Sequence, residues 1–227
     1  NTHVATIQNA FSTPFGPGGL AVSPDGSRVY ATAAPTSAGR VAVIDTTSNK
    51  VVDDISIGRS TTGVALSSDG AHLYVSNSDG TLAVIETATK NVAATIALTY
   101  TYTIASYYDN VSYPNRQVPA QDMTVQDDTK GLVVSPDGKT AYVSTDRGPT
   151  FVVDLTANKI STVLSLPFSL IPDVSYPQAI AISPDGKTVY ASDTIYLDIV
   201  NTASFATTQK AVQDPLRGTP LAVSPDG

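Results

Sequence analysis

The chain has 227 residues, is 41% hydrophobic and 15% charged, and so has the length and composition of a folded domain with a sizeable core rather than of a disordered chain. Its formal net charge of −7 argues against a duplex nucleic-acid binder, whose phosphate contacts need clustered Lys and Arg. Cysteine is absent, which removes disulfides and thiolate metal sites, and no apolar run approaches the roughly 20 residues of a membrane helix.

The first ten residues, NTHVATIQNA, have neither the basic nor the long apolar region of a signal peptide. Few lysines and abundant Thr, Ser and Ala suggest a secreted, periplasmic or cell-surface protein. The segment VATIQ at 4–8 reads as an isolated strand. Then comes the first of five near-copies of one heptapeptide: LAVSPDG at 20–26, VALSSDG at 64–70, LVVSPDG at 132–138, IAISPDG at 180–186 and LAVSPDG at 221–227. Their serines, Ser23, Ser67, Ser135, Ser183 and Ser224, are spaced by 44, 68, 48 and 41 residues. Three spacings fit a unit in the mid-forties, and one carries an insertion of roughly 25. A period of about 40–50 with several strands per unit marks a propeller blade.

Each unit reads as four strands. Strand A precedes the turn and alternates large with small residues: Leu20-Ala21-Val22, Val64-Ala65-Leu66, Ile180-Ala181-Ile182, Leu221-Ala222-Val223. Both faces are therefore apolar, one bulky and one mostly Ala (Val133 is the exception), as a strand between two neighbouring blades requires. Ser-Pro-Asp-Gly is a turn in which Pro presets φ, Asp bonds nearby backbone and Gly accepts positive φ. Strand B follows as RVYATA (28–33), HLYVSN (72–77), TAYVST (140–145) and TVYASD (188–193). Strand C is VAVIDT (41–46), LAVIET (82–87), TFVVDL (150–155) and LDIVNT (197–202). Strand D is VVDDISI (51–57), NVAATIAL (91–98) and KISTVLSL (159–166). No segment has a helical period, so the chain is all-β.

The stretch GVALSSDGAHLYVSNSDGTLAVIETATKNVAATI (63–96) resembles the YVTN-type β-propeller repeat of the surface-antigen and YncE-like propellers. The resemblance covers nearly the whole chain except about 99–130. It implies a β-propeller of four-stranded antiparallel blades, at about 19–57, 63–98, 131–166 and 179–212, with an insertion at 99–130. It also implies rings of about seven blades. The unmatched strands at 4–8 and 220–223 then read as the flanks of a partial propeller, whose open strand edges invite self-association.

Strand order assigns the loops to two faces. A→B and C→D turns share one face and are nearly constant in sequence. D→A and B→C loops share the other and vary: QNAFSTPFGPG (8–18), APTSAG (34–39), GRSTT (58–62), 99–130, TDRGP (145–149), PFSLIPDVSYPQ (167–178) and QDPLRGT (213–219). Loops on a rigid scaffold are where binding usually lives. The insertion holds five of the eleven tyrosines, and Tyr supplies stiff amphipathic contact area. The candidate ligand-binding rim is therefore Tyr107, Tyr108, Tyr113, Arg116, Asp146, Arg147, Asp173 and Tyr176. The competing reading runs Tyr100 and Tyr102 into a hairpin packed over a blade as a structural flap.

Catalytic constellations are scarce. His3 and His72 are the only histidines, and His72 sits at a strand position filled by Arg28, Thr140 and Thr188 elsewhere. There is no Gly-x-Ser-x-Gly, phosphate loop or paired-His motif. Asp45, Glu86, Asp154 and Asn201 close strand C and are read as organisers of the C→D turn. Asp53-Asp54 and Asp127-Asp128 are read as solvated acids, with calcium binding the lesser alternative. The sequence thus calls for no cofactor, no metal and no catalytic residue. It points to a non-enzymatic binding or cell-surface scaffold whose partner is a protein, a glycan or a small ligand, with no duplex nucleic acid and no membrane insertion. The resemblance leaves open a lactonase-like or metal- or quinone-assisted propeller enzyme, or single-strand nucleic-acid binding.

Overall fold

The computed structural model describes residues 7, 17–33, 39–104, 107–109, 116–118, 120–146, 149–164, 179–192, 196–211 and 221–226. Among them are twenty strands and no helix. Four antiparallel four-stranded sheets follow one another in chain order. The first is β1 (Pro17–Val22), β2 (Arg28–Ala33), β3 (Arg40–Asp45) and β4 (Lys50–Ser56). The second is β5 (Thr61–Leu66), β6 (His72–Asn77), β7 (Thr81–Glu86) and β8 (Val92–Ala97). After it come two hairpins, β9 (Thr99–Ile104) with β12 (Gln121–Gln126), and β10 (Tyr107–Asp109) with β11 (Arg116–Val118). The third sheet is β13 (Thr129–Val134), β14 (Thr140–Thr145), β15 (Thr150–Asp154) and β16 (Lys159–Leu164). The fourth is β17 (Ala179–Ile182), β18 (Thr188–Ser192), β19 (Tyr196–Asn201) and β20 (Thr207–Ala211).

The turn after each first strand is built by its own side chains. Gly26 N–H donates to Ser23 O at 2.8 Å, and Gly26 has φ of 70°, a left-handed value that a Cβ would strain. The Asp25 carboxylate accepts from Ser23 Oγ at 2.6 Å and from Ser27 N at 3.0 Å. Ser23 Oγ in turn accepts from Arg28 N at 2.8 Å. The same bonds recur around Ser67, Ser135 and Ser183. Beside these turns, Asp45 Oδ1 accepts from Thr47 N and Ser48 N, Asp154 Oδ1 from Thr156 N and Ala157 N, and Asn201 Oδ1 from Ala203 N and Ser204 N. These residues organise the C→D turns, as their position at the end of strand C suggests.

Sheets pack face to face through three apolar layers. The first strands lie side by side in series, β1 on β5, β5 on β13 and β13 on β17, which makes them the innermost strands. The alternation within strand A gives the packing a direction. Val64 and Leu66 of the second blade join Tyr30, Val41, Val43 and Ile55 of the first, to which the first blade's own strand A contributes Ala21. Leu132 and Val134 likewise face the second blade, and Ile180 and Ile182 face the third, which offers Val133. Bulky residues thus look back and small ones look forward. Each fully buried Leu, Ile or Val in these layers, such as Leu73, Leu82, Ile85 or Val153, stabilises the fold by about 1.5–3 kcal/mol. Close approach of innermost strands requires glycine: a Cβ on Gly131 would lie 2.7 Å from Ile180 Cγ2 and 2.9 Å from Ser144 Oγ. On the first blade the backward-looking pair is uncovered. Leu20 is 62% and Val22 60% exposed, against 7% for Val64 and for Ile180.

Candidate functional site on the variable-loop face

Hydrogen bonds between turns separate the two faces. On the constant face, the C→D turn caps the A→B turn of the same blade, with Thr46 Oγ1 donating to Gly26 O at 2.8 Å, Thr87 Oγ1 to Gly70 O at 2.7 Å and Thr202 Oγ1 to Gly186 O at 2.8 Å. On the variable face, Ile57 N donates to Gly39 O, Ser78 N to Ser60 O, Leu98 N to Gly80 O and Asp146 N to Asp128 O, at 2.8–2.9 Å.

The β9–β12 hairpin rises from this second face between the second and third blades. Its six-residue pairing runs from Thr99↔Gln126 to Ile104↔Gln121. Gln126 Nε2 ties it to the B→C turn of the second blade by donating to Asp79 O at 2.6 Å and Gly80 O at 3.1 Å. Asp79 also pairs with Arg59 and accepts from Thr81 Oγ1 at 2.6 Å. Thr81 accepts from Asn77 Nδ2 at 2.9 Å, and Asn77 O accepts from Thr129 Oγ1 at 2.9 Å. Thr129 shares a hydroxyl hydrogen bond with Thr62. The network has fully buried members in Asn77 and Thr129, and Asn77 Oδ1 has no partner among the described residues. Tyr100, at the hairpin base, sets its ring edge-on to Phe151 at 6.1 Å and donates its hydroxyl to Asp127 Oδ2 at 3.4 Å. Lys130 Nζ lies 3.2 Å from Asp146 Oδ1.

Of the sequence-derived rim, Asp146 lies in this arrangement as the partner of Lys130. Tyr107 and Tyr108 lie on β10 and Arg116 on the paired β11, where Asp109 is opposite Arg116 and Tyr108 opposite Gln117. Tyr113, Arg147, Asp173 and Tyr176 fall outside the described residues. Three of the four paired acids, Asp53, Asp54 and Asp127, depart from the solvated reading, and Asp128 is exposed. Asp53 pairs with Lys90, from the C→D turn of the next blade, and Asp54 with Arg40, which the neighbouring strands β3 and β4 bring together. Asp127 is buried, closed over by the hairpin that ends just before it. Sequence reasoning did not single out Gln126, Asn77, Thr129 or Lys130. His72 is half-buried and stacked on Tyr74 at 6.4 Å, a structural position.

The acids of the A→B turns on the constant face each hold their own turn through Oδ1. Hydrogen bonds from the Ser23 hydroxyl and then from Ser27 hold Asp25 down to about 2, and those from the Ser183 hydroxyl and Lys187 N do the same for Asp185. Among the described residues no group of three His, Asp or Glu side chains is placed to hold a metal ion, and no helix is long and apolar enough to cross a membrane.

Four sequential antiparallel sheets, packed face to face with their first strands innermost, define the blades of a β-propeller. No protein-family profile matches the chain, and no curated protein sequence matches it. Among solved structures it superposes on Kuenenia stuttgartiensis hydrazine synthase with a TM-score of 0.66 and 23% identity, over 92% of this chain and 53% of that one. The chain thus spans about half the length of that structure. At this identity the likeness shows the fold.

Proposed function

We propose that the chain is a non-enzymatic binding scaffold of the extracytoplasmic space, of the YVTN repeat type, which engages a protein, glycan or small ligand through its variable-loop face. One observation carries the reading: the single large insertion is built as a paired hairpin and is fastened to that face by Gln126. The constant face repeats one self-bonded turn four times, whereas the loops opposite differ from blade to blade. A scaffold that holds one face fixed and diversifies the other is arranged for recognition. The polar network supports the same reading. Its cross-loop bonds hold neighbouring loops in a fixed relation, which lowers the ordering cost of binding.

The test is a screen of purified glycans, small ligands and candidate proteins against the wild type and a Tyr107→Ala/Tyr108→Ala variant. Loss of binding with an unchanged unfolding midpoint supports the rim. If every ligand found binds the folded variant as tightly as the wild type, the rim is not the site. Self-association is a second mode of interaction, favoured by the exposed pair Leu20 and Val22.

A further inference from the structure

The three blade junctions repeat one arrangement on the constant face. Each places a tyrosine of strand B beside the acid of its own turn: Tyr30 with Asp25, Tyr74 with Asp69 and Tyr142 with Asp137. Two residues before each tyrosine, on the same face of the strand, the three blades differ. The first has Arg28, whose guanidinium donates to Ser27 O at 2.9 Å and pairs with Asp45. The second has His72, stacked on Tyr74. The third has Thr140. A second cation also belongs to the first junction, where Lys90 crosses from the next blade to Asp53 and its charge reaches Tyr30. The matching turn position in the fourth blade is Phe205, which makes the same N–H bond to its strand end (Phe205 to Asn201 O) as Lys90 makes to Glu86 O.

The third junction carries the short Thr140 where the first two carry Arg28 and His72. A cleft of about 350 Å³ opens there, lined by Asp137, Thr140, Tyr142, Asp185, Gly186 and Thr202. Tyr142 is 4% exposed, and its hydroxyl makes no hydrogen bond among the described residues although it lines the cleft. Asp137 accepts through Oδ1 from Ser135 Oγ at 2.5 Å and Lys139 N at 3.1 Å, and among the described residues Oδ2 has no hydrogen-bond donor. Asp185 accepts through Oδ1 from Ser183 Oγ and Lys187 N. Lys187 Nζ stands 3.3 Å from Asp185 Oδ2, but its side chain is 78% exposed and strongly solvated. Lys139 is exposed beside Asp137. Tyr30 feels the positive charge of Arg28 and Lys90 as well as Asp25, whereas Asp137 is the charge that acts on Tyr142.

We propose that this cleft between the third and fourth blades binds the guanidinium or ammonium head of an external ligand beside Thr140, the strand position that carries the nitrogen side chains of Arg28 and His72 in the first two blades. Asp137 Oδ2 accepts a hydrogen bond from the cation, and the Tyr142 hydroxyl completes its polar surroundings from below. The site lies on the face opposite the hairpin, so it stands or falls separately from the variable-face reading.

The experiment is a titration of the 15N-labelled chain followed at the backbone amides of Thr140, Tyr142 and Gly186. Three probes are used at low salt: butylguanidine, the capped peptide Gly-Arg-Gly, and its neutral citrulline counterpart. Saturable shifts with the two cations, weakened at least about tenfold for citrulline and reduced by added salt, are the expected result. Equal shifts from butylguanidine and the peptide assign recognition to the head group, and tighter peptide binding assigns an added backbone contact. Thr140→Arg, which carries its own cation into the cleft, is expected to abolish the shifts, and Thr140→Val to preserve them. Tyr142→Phe loses no internal hydrogen bond and is expected to weaken binding several-fold with the fold intact, which keeps the test decisive if Thr140→Arg does not fold. Absence of saturable shifts, equal binding of citrulline, or undiminished binding by Thr140→Arg or by Tyr142→Phe overturns the proposal.

Discussion

Replacing Phe151 by Ala tests how the hairpin is joined to the propeller. Phe151 is fully buried in the layer between the second and third blades, with Leu82, Val84, Leu98 and Val143 in the same cluster and the Tyr100 ring edge-on at 6.1 Å. Truncating a buried Phe removes its transfer energy and leaves a cavity that the two sheets cannot close without moving whole blades, a loss of about 3–5 kcal/mol. Part of that loss belongs to the aromatic pair. A cycle of Phe151→Ala, Tyr100→Ala and the double variant is expected to give a coupling of about 0.5–1.5 kcal/mol. The chain has no Trp, so urea unfolding is followed by circular dichroism and tyrosine fluorescence. Hydrogen exchange adds a local readout, with faster exchange expected at Thr99–Ile104 in both single variants. A stability loss below about 1 kcal/mol for Phe151→Ala would show that Phe151 does not hold the second and third blades together. A coupling near zero would show that the hairpin base is not packed on the core.

Gln126→Ala removes the side-chain bonds to Asp79 O and Gly80 O, and is expected to speed exchange across β9–β12 while changing global stability by about 1 kcal/mol or less, read by exchange and urea titration together. Asp25 and Asp185 titrate near 2 in the folded chain against an ordinary 3.8, so their contribution to stability is present above 3.8 and is lost as pH falls from about 4 toward 2. Unfolding measured across that range should show stability falling with acid, with a shallower slope in Asp185→Asn; an unchanged slope would remove Asp185 from the account. Leu20→Lys with Val22→Lys should reduce any self-association detected by light scattering without lowering the unfolding midpoint, since both side chains are mostly exposed.

The fold was legible because its determinants are local. Ser-x-Asp-Gly specifies a turn from four adjacent residues, and the large–small alternation of strand A specifies two apolar faces. The turn role of Asp45, Asp154 and Asn201 was legible for the same reason, since each bonds backbone two or three residues ahead. The site was less legible because its bonds are long-range. Gln126 reaches a turn 46 and 47 residues earlier, and Thr129 reaches Asn77 52 residues away. No sequence spacing announces such partners. In the sequence Asp127 reads as solvated, because with Asp128 it forms a pair of acids that resembles surface. The hairpin instead buries the first and leaves the second exposed.

One repeat thus yields two faces with different tolerances. On the constant face each A→B turn closes its serine–aspartate–backbone circuit within one blade, so an insertion there would break the circuit that makes the turn. On the variable face the backbone bond between a D→A loop and a B→C loop needs one donor and one carbonyl, and places no demand on side-chain identity. The chain accepts its long insertion between β8 and β13, where Leu98 N and Asp146 N keep those bonds on either side of it. On the constant face, where backbone and turn are fixed, variation is left to the strand position that reads Arg28, His72, Thr140 and Thr188 in successive blades. A change from arginine to threonine there leaves the turn bonds intact and alters what the blade junction can hold. Diversity by loop length on one face and by single side chains on the other follows from where each face places its hydrogen bonds.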